Sequence, residues 1–565
     1  MRKRLLAVFI VCAVPILSFS QSISIDGRFN DWAGIATYTD GAADGNGVDL
    51  KGFSVTNDEK NLYIRLITNA EFNLSDSNNL YMNIDADNNP ATGFSTNGIG
   101  SEFAWRFGSK YGFYYYGSNR DTVYAAQLGM AGLTTHKNDT FEIAISRSAK
   151  VGALLQSLFT KDTIKINFVN GVTGGDQMPN QGSTRFYVFN NQLVSDFAPI
   201  ELSKCNSNYL RIMTYNTAFD GLIDVSRTEQ FRRIMQVVTP DIIVFNECGN
   251  TTYQQAKAKL DAWLPLSSGS WYCYKVDPGN IICSRFPVKY AKNISFRKTT
   301  VAYIDLPSVY ATDFLFIGTH LMYYNDGDST RQKEADIIAA YLRDMKAGTT
   351  EYKIPANTPF AIAGDFNLVN SYSPLNTILT GEIVHHDLYG SSDAPDWNGQ
   401  PISSVYAKVS ERDMAYTWRS RDAKARWLPG KLDYIVHSNV NLEVKKSFVL
   451  QSELMSEKRL QQYGLEASDT YLASDHLPVV VDIELPTITA LTTNVQWNGQ
   501  VNNAWENAAN WDCGIVPGKN SNVIIPAVAP HYPEVNANTE IHSLFLQNNS
   551  TVNFKQGVQF LINGQ

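Results

Sequence analysis

The stretch Leu472-Ala473-Ser474-Asp475-His476-Leu477-Pro478 runs straight into the apolar triplet Val479-Val480-Val481. A carboxylate and an imidazole stand side by side at the lip of a buried strand, and Pro478 fixes the turn between them and that strand. Taken alone, Ser474-Asp475-His476 reads as an Asx-type turn entering a strand. Its meaning comes from the apolar runs upstream.

Those runs recur at Leu210 to Tyr215, Ile242 to Phe245, Phe314 to Gly318, Phe360 to Ala363, Leu432 to Val436 and Val479 to Ile483. Helical segments lie between several of them. The capping box Ser226-Arg227-Thr228-Glu229 predicts a helix with Phe231, Ile234, Met235 and Val238 on one face. A second helix begins near Ser329-Thr330-Arg331-Gln332, turns Ala335, Ile338, Ala339 and Leu342 inward, and stops at Gly348. Strands alternating with helices predict an α/β layered domain from Tyr209 to about Leu485.

Each run finishes on a group able to bind a metal or move a proton. Asn216, Glu247, His320, Asp365 with Asn367, Asp433, and Asp475 with His476 follow in order. One such ending is an ordinary cap or turn. Six in order at the ends of strands predict a shared cleft mouth. Asp365 and Asn367 offer two hard oxygen donors in a glycine-started turn, which suits Mg²⁺ or Mn²⁺. Asp433 stands in an apolar strand, where a carboxylate is costly unless paired, and an imidazole is its natural partner.

The motifs Thr214-Tyr215-Asn216, Pro240 to Glu247, Ser284-Arg285-Phe286-Pro287, Gly318-Thr319-His320-Leu321, Gly364-Asp365-Phe366-Asn367, Tyr416-Thr417-Trp418, Leu432 to Ile435 and Ser474 to Pro478 resemble the endonuclease/exonuclease/phosphatase superfamily. That resemblance implies a two-sheet, four-layer α/β sandwich with the site where the sheets meet. It implies Glu247 as the main Mg²⁺ (or Mn²⁺) ligand, with Asn216 and Asp475 setting the metal or its waters. His476, oriented by Asp433, would be the general base on water; Asp365 and Asn367 would orient the nucleophile and steady the transition state, and His320 would serve a phosphate oxygen or the leaving group. A phosphodiester repels hydroxide, so its hydrolysis calls for a cation to neutralise charge and a base to form the nucleophile. Two features depart from the family pattern: Asn246 stands where a Gln is usual, which predicts a looser surrounding shell, and Cys248 follows Glu247 as either an inert buried thiol or a redox liability.

The flanks have a different grammar. A chain of 565 residues implies about three domains, and 18 % charged with 12 % aromatic residues is the balance of β-rich extracellular material. The net charge of −8 argues against overall charge as the grip on nucleic acid. Met1-Arg2-Lys3-Arg4, the apolar Leu5 to Leu17 and Ser18-Phe19-Ser20 predict a signal peptide over residues 1–20, too short to be a membrane span. Export to a secreted or cell-surface location of a bacterium follows, with no transmembrane segment in the mature chain. The five cysteines beyond Cys12 allow one or two disulfides.

Residues 21–202 read as a β-sandwich, with alternating runs such as Asn61 to Leu66 and Phe141 to Ile145. Asn83-Ile84-Asp85-Ala86-Asp87-Asn88-Asn89-Pro90 places side-chain oxygens on alternate residues of a tight loop, either a solvated turn or a Ca²⁺ site on Asp85 and Asp87. Ile25 to Trp32, Thr92-Gly93-Phe94 and Gly100 to Phe103 resemble family 9 carbohydrate-binding modules, which implies calcium and an extracellular glycan as partner. Glu201 to Asn208 reads as a polar linker. Residues 486–565, with Trp497-Asn498-Gly499, Trp505, Asn510-Trp511 and Val516-Pro517, read as a small β-domain or the start of a β-solenoid. They resemble attachment or sorting appendages of secreted Bacteroidetes-type proteins.

The cluster Trp418, Arg419, Arg421, Lys424, Arg426 and Trp427 predicts phosphate gripping and base stacking, against a solvated loop whose charges Asp413 and Asp422 partly cancel. The leading expectation is a secreted Mg²⁺-dependent phosphodiesterase acting on nucleic acid. The alternatives are a sphingomyelinase-like or sugar-phosphate (inositol) phosphoesterase, and a non-catalytic glycan-binding adhesin. Oligomeric state is not encoded in any of these motifs.

Overall fold

The computed structural model describes residues 22–488, 493–512 and 514–564. The signal-peptide reading of residues 1–20, and Cys513, lie outside the described residues. Among the described residues no helix is long and apolar enough to cross a membrane.

The middle of the chain builds two six-stranded sheets. In the first, Leu210–Asn216 lies between Ile242–Asn246 and Val479–Glu484; in the second, Phe360–Asp365 lies between Phe314–His320 and Asp433–His437. The inner strands are buried on both faces because they read as continuous apolar runs. Ile212, Val244, Phe316, Ala361 and Val481 fill the space between the sheets. The sheets approach closely at Gly318, where a Cβ would lie 2.7 Å from Val244 Cγ2. Helices Thr228–Val238 and Tyr253–Trp263 cover the first sheet, and Asp328–Lys346 covers the second. This is the four-layer α/β sandwich expected of the sequence.

Helix details follow the local chemistry. Phe231, Ile234, Met235 and Val238 are fully buried, as the periodicity predicts. The expected capping box at Ser226 does not form; Asp224 instead caps a short 3₁₀ turn, Val225–Arg227, by accepting from the Ser226 amide at 2.9 Å. A capping box does form at Thr252 and Gln255, ahead of Tyr253–Trp263.

Residues of the N-terminal region form a five-stranded and a seven-stranded antiparallel sheet packed face to face over Ile64, Phe103, Phe141 and Phe168. The stretch read as a polar linker is held down: Leu202 is buried, and its carbonyl accepts from Arg211 at 2.9 Å. At the C-terminal end, Thr493–Gln496, Ser521–Ile525 and Ser543–Leu546 pair in parallel, the arrangement of a β-solenoid. Trp497, Trp505 and Trp511 form its centre by edge-to-face contacts of 4.8 and 4.7 Å. Cys273 and Cys283 face each other on adjacent strands and form a disulfide.

Candidate active site

The strands extend past the apolar runs, so their last residues are the polar ones: Asn216, Asn246, His320 and Asp365 each end a strand. Asp433 starts the antiparallel neighbour and lies directly opposite Asp365 in the ladder. Parallel strand ends and antiparallel strand starts therefore meet at one edge of the two sheets. Gly364 allows this crowding, since a Cβ there would lie 1.7 Å from the Thr319 carbonyl oxygen, and its φ is 152°.

At that edge the His476 Nδ1 lies 2.8 Å from Asp433 Oδ2. A carboxylate only accepts, so Nδ1 carries a proton and Nε2 is the ring position left to exchange one. Nε2 stands 3.6 Å from Asp365 Oδ2, and His320 Nε2 approaches the same oxygen at 3.7 Å. Asn216 Nδ2 donates to Glu247 Oε1 at 3.1 Å and to Asp365 Oδ2 at 3.0 Å, placing one amide between two carboxylates. Glu247 Oε2 accepts from the Phe219 amide at 2.8 Å. Its backbone sits at φ 58°, a region costly for a glutamate and frequent at functional sites.

Asn367, at φ 50°, donates its amide N–H to Asp365 Oδ1 and its Nδ2 to the Leu321 carbonyl. Asp475 accepts from Trp418 Nε1 at 3.1 Å, which ties it to the wall of the cleft. Burial pushes the Asp365 carboxyl up to about 7; His476 and Asn216 oppose that shift, and the Asp433 and Glu247 anions add to it. Burial lowers the His476 imidazole, but Asp433 and Asp365 outweigh it and raise the ring to about 10. Burial holds His320 well below the ordinary histidine value, with Lys298 and His476 acting in the same sense.

Asn246 corrects the expectation of a loose surround. Its Nδ2 donates to Asn280 Oδ1 at 2.8 Å and to the Thr319 carbonyl at 3.1 Å, while its Oδ1 accepts from the Asp365 amide at 3.1 Å. The shorter amide thus stitches one sheet to the other directly behind the site. Cys248 is buried, and burial pushes its thiol up to about 12, so it is the inert alternative.

Arg419 is also corrected. It is 7 % exposed and pairs with Glu453 at 2.6 Å, while its Nη1 donates to the Ser474 carbonyl at 2.9 Å. It clamps the turn that carries His476 and is turned away from the cleft. Trp418 does line the cleft. Thr417 and Ser474 stood inside recognised motifs without a role. Thr417 Oγ1 donates to Asp433 Oδ2 at 2.8 Å, and Ser474 Oγ accepts from the His476 amide while donating to the Asn216 carbonyl. Their signal was present in the sequence only as hydroxyls beside a carboxylate and an imidazole.

The sequence model described as the Endonuclease/Exonuclease/phosphatase family matches residues 213–476. This part of the chain belongs to that family. Solved structures of similar fold include D. rerio TDP2 complexed with single strand DNA product, at 13% identity over 49% of this chain and 100% of that one, TM-score 0.32. The human Nocturnin catalytic domain with bound sulfate anion is 18% identical over 51% and 97%, TM-score 0.30. A family protein from Leptotrichia buccalis C-1013-b is 17% identical over 49% and 100%, TM-score 0.31. No curated protein matches the chain. Endonuclease/exonuclease/phosphatase enzymes are metal-dependent phosphoesterases, and this chain is a metal-dependent phosphoric ester hydrolase.

The donor set fits a hard divalent cation. Glu247 Oε1 and Asp365 Oδ2 are brought together on one Asn216 amide, at 3.1 and 3.0 Å, which sets two hard carboxylate oxygens side by side. In the N-terminal sandwich, Asp85 and Asp87 are joined by Glu102, which in the sequence stands only within a family motif. Lys165 lies 3.2 Å from Asp85 Oδ2, and Glu102 Oε1 is buried without a partner among the described residues.

Proposed function

We propose that this protein is an exported, Mg²⁺- or Mn²⁺-dependent phosphodiesterase that hydrolyses nucleic-acid phosphodiester bonds. The observation that carries the reading is the His476–Asp433 pair at 2.8 Å, with the ring's Nε2 directed to Asp365 in the cleft that also holds Glu247. Glu247 and Asp365 would hold the cation, with Asn216 orienting both carboxylates and Asp475 at the edge of the set. The cation supplies charge neutralisation at the scissile phosphate. A cation on Asp365 would offset the anion that holds a proton on His476 Nε2; Nε2 would then take the proton of the attacking water, with Asp433 keeping the ring in the tautomer that can do so. Asn367 and Asp365 orient that water, and neutral His320 sits where it can donate to a phosphate oxygen. Export rests on the sequence of residues 1–20 and fits the Cys273–Cys283 disulfide.

Hydrolysis of bis(p-nitrophenyl) phosphate and of DNA and RNA, each with Mn²⁺, Mg²⁺ or chelator, tests the reading. Chelator is expected to abolish turnover, and Asn216→Ala to raise the half-saturating Mn²⁺ concentration by about 10–100-fold. Undiminished turnover in chelator, or cleavage of sphingomyelin or inositol phosphates in preference to nucleic acid, would overturn it.

For the sandwich we propose Ca²⁺ at Asp85, Asp87 and Glu102. Ca²⁺ at about 100 times its Kd would stabilise that site by about 2.7 kcal/mol, and Asp87→Asn would remove most of the gain. A melting temperature that ignores Ca²⁺ in the wild type would dismiss the site.

A further inference from the structure

The cleft above His476 encloses about 880 Å³, and part of its lining comes from outside the family-matched residues 213–476. Leu74, Ser75, Thr134 and Thr135 of the N-terminal sandwich line it beside Trp427, Leu428 and Gly430. The two parts share one core, in which Ile25, Trp32 and Leu133 pack with Met414 and Tyr416. The join is tight. A Cβ on Gly430 would meet Thr135 Cγ2 at 2.4 Å, and one on Gly132 would meet Leu428 Cδ1 at 3.0 Å. Thr135 Oγ1 donates to the Lys431 carbonyl at 3.1 Å, and Asn73 Nδ2 donates to the Val369 carbonyl at 2.6 Å. The Lys110 ammonium lies 4.2 Å above the Trp427 ring, so the sandwich also positions an aromatic of the cleft lining.

We infer that the sandwich is a wall of the substrate cleft, and that the walled cleft takes an unpaired nucleic-acid strand in preference to duplex. The inference rests on the phosphodiesterase reading above. Three observations carry it. The volume is that of a small-ligand pocket, with room for an unpaired segment of strand beside the sandwich. The lining carries Asp220, Glu247 and Asp365 against one lysine, Lys298, so it offers no basic track for two phosphate chains. At the mouth Phe219 is 85 % exposed, Tyr324 57 % and Trp427 42 %, and these rings stack unpaired bases, whereas duplex bases are already stacked.

The test uses the full chain with Mn²⁺, a short DNA oligonucleotide single-stranded and in duplex, and bis(p-nitrophenyl) phosphate as a diester too small to need the wall. Single strand is expected to exceed duplex by about tenfold or more in kcat/KM, because duplex must first be unpaired. Ser75→Trp, which narrows the cleft from the sandwich side, and Trp427→Ala, which removes a stacking face, should each lower single-strand kcat/KM by about fivefold, chiefly through KM. Both should lower hydrolysis of the small diester by less than they lower cleavage of the strand, and thermal unfolding reports separately that the fold is intact. Duplex cleaved as fast as single strand, or both variants indistinguishable from wild type on single strand, overturns the inference. Turnover of the small diester with no cleavage of any oligonucleotide overturns it while leaving a phosphodiesterase in place. No turnover of any diester removes the reading beneath it as well.

Discussion

Replacing His476 with alanine is expected to lower kcat for a phosphodiester by about 10²–10⁴-fold while the protein stays folded. The imidazole is held from two sides: Asp433 accepts from Nδ1 at 2.8 Å, and the Ser474 hydroxyl accepts from the His476 backbone amide at 3.1 Å. Only the ring is lost in the variant, and Ser474 continues to fix the turn. Asp433→Asn should also lower kcat, because an amide facing Nδ1 no longer demands the tautomer that leaves Nε2 free. Thr417 Oγ1 donates to that carboxylate and also accepts from the Leu432 and Asp433 amides, so Asp433 stays in place for reasons unrelated to the histidine. Steady-state turnover of bis(p-nitrophenyl) phosphate, beside thermal unfolding, separates chemistry from folding. A His476→Ala protein that keeps more than about a tenth of wild-type kcat would remove His476 as the base.

The largest stability effect is expected at Asp482. Its carboxylate takes two parallel bonds from Arg211, Nε to Oδ1 at 2.6 Å and Nη2 to Oδ2 at 2.7 Å, and both side chains are fully buried. Arg211 also donates to the Leu202 and Val238 carbonyls, so one guanidinium ties the first strand of the catalytic sandwich to its last strand, to a helix end and to the segment before it. Asp482→Ala leaves that guanidinium buried without its counter-charge, with Lys446 also facing the gap from 3.9 Å. The expected cost is about 3–5 kcal/mol, read from urea denaturation of the catalytic region. The double variant Arg211→Met/Asp482→Leu removes both charges together and should recover most of that loss. A single variant costing under about 1 kcal/mol would mean that water reaches the pair.

The strand ends were legible because an apolar run that stops on a polar residue is a local pattern. Asn216, His320 and Asp365 stand where that pattern predicts, and the structure moves each of their strand boundaries outward just far enough to include them, while Asp433, inside the expected run, is the first residue of its strand. Arg419 was misread for the opposite reason: a basic residue in a loop carries no local sign of its partner, and Glu453 lies 34 residues away. Asn246 was misjudged by length alone, since its two donors and one acceptor become visible only when the second sheet is set against the first.

By itself the sequence determined the layered α/β architecture, the order of the polar strand ends and hence the class of reaction, because hydrophobic period and strand-end chemistry are read within a few residues. Only the tertiary structure decided which sheet edge gathers those groups, which hydroxyls hold Asp433 and His476, and that the N-terminal sandwich walls the cleft. The Thr135–Lys431 bond that marks this wall spans 296 residues. Contacts of that separation arise from how whole sheets pack, and no window of sequence contains both partners.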